Sequence, residues 1–157
     1  MTGAELTALL ARLWPDLEAL SEPWAVIGSA AMILAGVDWP DCADLDIVTT
    51  DAGAARLEGL WAAWRRPGEP PPPNGPFRSR FARFAFPQGA VETMGDLEIR
   101  EAGAWRRLTV LSPVRFEAAG GLWPAPGLAE QAQILRRFGR PKDLAKARHL
   151  EDLGKGG

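Results

Sequence analysis

The sequence predicts one α/β domain that ends in a helical segment, and three stretches carry that prediction. Trp24-Ala25-Val26-Ile27 is an apolar run of strand length that meets Gly28-Ser29 at once, and Asp44-Leu45-Asp46-Ile47-Val48 is a second strand pattern soon after it. Phe77–Phe86 alternates well enough for a strand and turns back at Pro87-Gln88-Gly89. Beyond Pro126 the apolar spacing changes to three and four, the period of helices. At 157 residues the chain is long enough to bury a core without disulfides or a structural metal. The expected division is a single domain, residues 1–157, with its core within about residues 22–112 and its helical close within about residues 126–153.

Each element has its own signal. Leu6, Leu9, Leu10, Leu13, Leu17 and Leu20 recur at helical spacing over Glu5–Leu20, so this segment should cover one face of a sheet. Pro15 interrupts it and predicts a kink or a restart, with Pro15 in a first turn. Ser29 is a suitable N-cap for a short helix over Ala30–Ala35, and Gly36 stands where a left-handed residue ends one. Thr50 or Asp51 can cap a helix reaching Arg65, with Leu57, Leu60, Trp61 and Trp64 on one apolar stripe. Pro67–Pro76 reads PGEPPPPNGP, which suits neither helix nor central strand. It reads as an exposed loop, with a partner-binding polyproline segment as the alternative. Ala90–Met94 should pair with the Phe77–Phe86 strand. Gly95-Asp96 then punctuates, and a further hairpin is expected through Leu97–Arg100 and Trp105–Leu111 around Ala102-Gly103. Pro126–Phe138 reads as a helix closed by Gly139, and Pro141 opens another to about Leu153, with Gly154–Gly157 fraying.

Composition removes several classes of function. A net charge of −2 argues against a protein whose main business is coating nucleic acid. The single cysteine, Cys42, rules out an internal disulfide and reads as a small filler. There is no signal-peptide pattern and no apolar run of membrane-spanning length, so a cytoplasmic location with no membrane association is expected. No Ser-His-Asp set, zinc-ligand cluster or Walker-type loop is present, and the only histidine, His149, reads as a surface residue.

The chemistry concentrates between Gly28 and Asp46. In a strand, Asp44 and Asp46 project from one face while Leu45 and Ile47 point to the other. Two carboxylates side by side repel, and a divalent cation between them relieves this. Gly28-Ser29, at the end of the first strand, offers backbone N–H groups and a hydroxyl to a phosphate. A phosphate cradle beside a carboxylate pair equips a site for metal-assisted phosphoryl or nucleotidyl transfer. A solvated strand end is the plainer reading of the two aspartates. Arg78, Arg80 and Arg83 could clamp a triphosphate or could be the charged side of a half-exposed strand, and Arg140, Lys142 and Lys146 pose the same choice at a helix start.

Gly28-Ser29, a helix, then Asp44-Leu45-Asp46-Ile47 resembles the signature of the nucleotidyltransferase superfamily that includes DNA polymerase β. The likeness is to its small bacterial members, among them antibiotic nucleotidyltransferases and enzymes of toxin–antitoxin pairs. Here the spacer is at the long side, because of the Val37–Ala43 loop. The Gly139-Arg140-Pro141-Lys142-Asp143 turn is similar to a stretch near the C-terminus of such proteins. The resemblance implies a mixed sheet with helices packed mainly on one side. It also implies a third acid on a strand, which Glu92 in Val91-Glu92-Thr93-Met94 would supply, with Asp96 and Glu98 as rivals. By resemblance, Asp44, Asp46 and Glu92 would be catalytic and would hold Mg²⁺ or Mn²⁺. Gly28, Ser29, Arg78, Arg80 and Lys142 would bind the nucleoside triphosphate, whose monophosphate passes to a hydroxyl on a small molecule, tRNA or protein. Two other readings stand beside it: a catalytically degenerate nucleotide- or protein-binding domain of antitoxin type, and a glycosyltransferase using Asp-x-Asp with a metal.

Overall fold

The leucine periodicity of the N-terminal segment becomes helix α1, Gly3–Glu18, in the computed structural model, which describes residues 1–155. Its start is set by Thr2, whose hydroxyl accepts from the Glu5 amide while the Glu5 carboxylate accepts from the Thr2 amide. Pro15 lies inside the helix, near its end, and produces no restart. The bond it forfeits is to the carbonyl of Ala11, an exposed residue, so water can take that acceptor.

Strand β1 (Trp24–Ile27), helix α2 (Gly28–Leu34), strand β2 (Asp44–Thr49) and helix α3 (Asp51–Leu60) follow. Gly36, at φ +87°, stands past the end of α2 as its sequence position suggests. Thr50 caps α3 by accepting from the Gly53 amide. This helix is shorter than expected. Trp61 is pinned in the core by an indole N–H bond to Asp16 and by edge-on contacts with Phe84 and Phe86. From there the chain leaves through a 3₁₀ turn, Ala62–Trp64, into the two-residue strand β3, Arg65–Arg66. Pro67–Pro76 forms no helix or strand.

Strands β4 (Phe77–Phe86) and β5 (Gly89–Glu101) form the expected hairpin, but β5 runs on through Gly95-Asp96. The punctuation is a bulge, not a break: Arg80 pairs with Gly95, Arg78 pairs with Glu98, and Asp96 takes φ +50°. Strand β6 (Ala104–Arg107) pairs with the far half of β5 and stops short of Leu111. A second hairpin, β7 (Pro113–Ala118) and β8 (Gly121–Pro126), has no counterpart in the sequence expectations. Its prolines argue against strands, yet a two-stranded sheet leaves each strand a free edge that needs no donor. Trp123 of β8 is fully buried against Trp14 and Trp24, with ring centroids 5.4 Å and 5.7 Å away. Because Pro126 belongs to β8, helix α4 begins later, at Leu128, and runs to Phe138. Gly139 closes it at φ +73°, and α5 spans Pro141–Lys155. Gly154 and Lys155, expected to fray, lie in α5, and residues 156–157 fall outside the described residues.

The main sheet has the order β1-β2-β5-β4-β3, with β6 also on β5. Among the described residues only β2 and β5 run parallel, so the sheet is mixed. One face packs Leu45, Ile47, Val91 and Phe84 beneath α1 and α3. Helices α4 and α5 pack instead on α2, where Met32 meets Ala132, Leu135, Ala147 and Leu150. Among the described residues no helix is long and apolar enough to cross a membrane.

Close packing of α3 on β5 depends on Gly95. A Cβ there would fall 2.8 Å from the Ala54 Cβ and 3.1 Å from the Asp51 Cα. Gly95→Ala is therefore expected to lower stability by about 1–3 kcal/mol in denaturant unfolding, by overpacking. An unchanged midpoint would show that α3 has room to move off the sheet.

Candidate functional site

Sheet register assembles the site. Ile27, Asp46, Glu92 and Arg83 are successive cross-strand partners on β1, β2, β5 and β4, so they form one row on one face. Asp44 stands two residues before Asp46 on that face, opposite the one that Leu45 and Ile47 bury under α1. Asp44, Asp46 and Glu92 each offer a carboxylate oxygen, and these oxygens lie within 4.8 Å of one another. Arg83 donates to Glu92 and approaches Asp44 Oδ2 at 3.5 Å. Asp46 has no such partner among the described residues.

The charge balance follows from this placement. Asp46 Oδ1 is buried and meets no hydrogen-bond donor among the described residues. Burial pushes the Asp46 carboxyl well above its ordinary 3.8, and the Asp44 and Glu92 charges push it further, against Lys146 and Lys142. Glu92 is also raised, by burial and by Asp44, while Arg83 opposes. The Cys42 thiol is pushed up to about 11, chiefly by burial, which leaves it inert. Three carboxylates make an all-oxygen donor set that suits Mg²⁺ or Mn²⁺. The orphaned Asp46 oxygen fits the same conclusion, since a cation would satisfy it. Gly28, at φ +73°, closes one side: a Cβ there would stand 3.0 Å from Asp46 Oδ2.

Ser29 lies inside the first turn of α2 and does not cap it. Ile27 occupies the N-cap position with extended backbone and no side-chain bond. Ser29 lines a cavity of about 360 Å³ together with Asp44, Asp46, Trp39, Lys142 and Lys146. That volume is within the ~300–1,000 Å³ range of small-ligand sites. Lys142 and Lys146, four residues apart on α5, share a helix face toward the acids. Buried Asp143 accepts from the Arg140 amide at 3.3 Å and from its guanidinium at 2.6 Å and 3.1 Å, fixing the turn ahead of them.

Arg78 and Arg80 do not join the site. Strand alternation turns them to the face opposite Arg83, where Arg78 bonds Glu98 at 2.8 Å and Arg80 bonds Glu58 at 2.8 Å. Asp96 and Glu98, the rivals of Glu92, are outside the acidic cluster and pair with Arg107 and Arg78. Trp39 is a site residue that the sequence expectations did not name, whereas Arg83 and Lys146 stand there only among groups that could clamp a phosphate or be surface charge. The signal for Arg83 was its parity with Glu92 across a two-residue turn, and for Lys146 its spacing from Lys142. Trp39 had none.

No protein-family model matches the chain, and no curated protein matches it by sequence. Solved structures do match. A candidate nucleotidyltransferase from Thermotoga maritima superposes with a TM-score of 0.78 at 24% identity, covering 100% of this chain and 97% of its own. The antibiotic-resistance factor ANT(2'')-Ia follows with a TM-score of 0.61, 10% identity, 95% of this chain and 83% of its own. For the lincosamide antibiotic adenylyltransferase LnuA, bound to lincomycin, the TM-score is 0.58 at 13% identity, over 96% of this chain and 97% of its own.

The raised Asp46 carboxyl sets a pH dependence. Between its ordinary 3.8 and its raised value the folded chain keeps a proton that the unfolded chain has lost, so stability falls as pH rises through that window. Glu58 and Glu98, held low by arginines, act in the opposite sense and only below their ordinary 4.5. Asp46→Asn should therefore flatten the fall in cation-free melting temperature as pH rises above the ordinary aspartate value of 3.8. At neutral pH the variant should melt level with or above the native protein and gain less from added Mg²⁺. Marked destabilisation with an unaltered Mg²⁺ response would assign Asp46 a structural role.

Proposed function

We propose that this chain, which has the nucleotidyltransferase fold, moves a nucleoside monophosphate from a nucleoside triphosphate to a hydroxyl acceptor. The observation that carries the reading is the convergence of three carboxylates, one of which, Asp46, has a buried oxygen with no partner among the described residues. Asp44, Asp46 and Glu92 hold the divalent cation, Mg²⁺ or Mn²⁺. When bound, it neutralises charge on the transferring phosphate and favours the ionised acceptor. The Gly28 backbone, the Ser29 hydroxyl and Lys142 hold the β- and γ-phosphates. The acceptor oxygen bonds the α-phosphorus as the bond to the bridging oxygen breaks. Pyrophosphate leaves with that electron pair, and the hydroxyl proton passes to the Glu92 carboxylate.

A small molecule is the favoured acceptor. Two structural neighbours are an adenylyltransferase with lincomycin bound and ANT(2'')-Ia in complex with adenylyl-2''-tobramycin. The net charge of −2 offers no general attraction to tRNA. A degenerate antitoxin-like domain has no need of the complete carboxylate set.

Incubation with nucleoside triphosphates labelled at the α- or the γ-phosphate, Mg²⁺ and a panel of small hydroxyl compounds tests the reading. Label should reach an acceptor from the α-position only, and Asp46→Asn should abolish transfer. Absence of transfer and of pyrophosphate release with all four triphosphates, in Mg²⁺ and in Mn²⁺, would contradict it.

A further inference from the structure

The Val37–Ala43 loop lengthens the spacer between Gly28-Ser29 and Asp44, yet it supplies none of the three clustered carboxylates. Together with Asp41 and Ala43 it supplies Trp39, which lines the same cavity as Ser29, Asp44, Asp46, Lys142 and Lys146. The indole is held in place by its packing. It packs against His149 of α5 with ring centroids 5.2 Å apart, and against the cluster of Met32, Val37, Ala147 and Leu150. Helix α5 thus backs the indole and presents the two lysines beside it. Trp39 is only half-buried, and its Nε1–H meets no acceptor. Phe138 also borders the cavity, but its ring is engaged edge-on with Phe77 at 5.1 Å.

The cavity therefore has three kinds of wall: carboxylates for a cation, lysines for phosphate oxygens, and one pre-set aromatic face. We infer that Trp39 is the surface on which the nucleobase of the bound triphosphate stacks, an inference that rests on the nucleotidyl-transfer reading. Every base has a π-face, so this contact selects a nucleotide over a bare polyphosphate and discriminates weakly among bases.

Calorimetry on the full chain in Mg²⁺, with each of ATP, GTP, CTP and UTP and with inorganic tripolyphosphate, separates the possibilities. Native protein should bind at least one nucleotide roughly five- to a hundredfold more tightly than tripolyphosphate. Trp39→Leu should lose that advantage while binding tripolyphosphate as the native protein does, and Trp39→Phe should keep most of it. Equal nucleotide affinity in native protein and Trp39→Leu would overturn the inference. So would native protein that binds tripolyphosphate as tightly as any nucleotide. If native protein binds neither, the nucleotidyl-transfer reading itself fails. Fluorescence supplies a check that does not depend on the leucine variant folding. A nucleotide, but not tripolyphosphate, should quench native emission, and that quench should vanish in Trp39→Phe at saturating nucleotide. Its persistence there would also overturn the inference.

Discussion

Parallel pairing of β2 with β5 sets Asp46 beside Glu92, and Asp44 joins them from the same strand. Two like charges about 4 Å apart near a protein surface repel by on the order of 4 kcal/mol. That is a large share of the ~5–15 kcal/mol by which a domain is stable, so the arrangement calls for a cation or a proton. Arg83 answers for Glu92 and Asp44. Asp46, with one oxygen buried and unpartnered, has no hydrogen-bond or ion-pair partner among the described residues, and only the charges of Lys146 and Lys142 oppose those of its neighbours.

The rest of the fold holds this conflict in place. Leucines of α1, with Leu57 of α3 and Trp61 at its end, lock the sheet from the far side, so the acidic row cannot relax by bending its strands apart. On the near side, the α4–α5 pair brings the lysines. Its position on α2 is fixed by apolar contacts and by buried Gln131, which donates to the carbonyls of Ala31 at 3.2 Å and Pro126 at 2.8 Å. The C-terminal helices are thus part of the site, since they place Lys142, Lys146 and the backing of Trp39.

Features set by local chain chemistry were legible in the sequence: the two apolar strands, the Asp44–Asp46 parity, and the stops at Gly36 and Gly139. Ser29 misled as an N-cap because the extended backbone of Ile27 already occupies that position. Among the arginines, the two-residue turn Pro87-Gln88 fixes the hairpin register and sets Arg83 opposite Glu92, so the right one could be deduced. Arg78 and Arg80 have the opposite parity. The β7–β8 hairpin was hidden by prolines that a free sheet edge tolerates. Trp39 was beyond reach because its position depends on where α5 packs, a tertiary fact with no local pattern.

The central claim is that the three carboxylates form one cation site, and diffraction from crystals soaked in Mn²⁺ tests it most directly. The account predicts an anomalous peak within about 2.5 Å of an oxygen from each of Asp44, Asp46 and Glu92. Saturating Mn²⁺ with no peak among these carboxylates, or with a peak elsewhere on the surface and the acidic row unchanged, would contradict it.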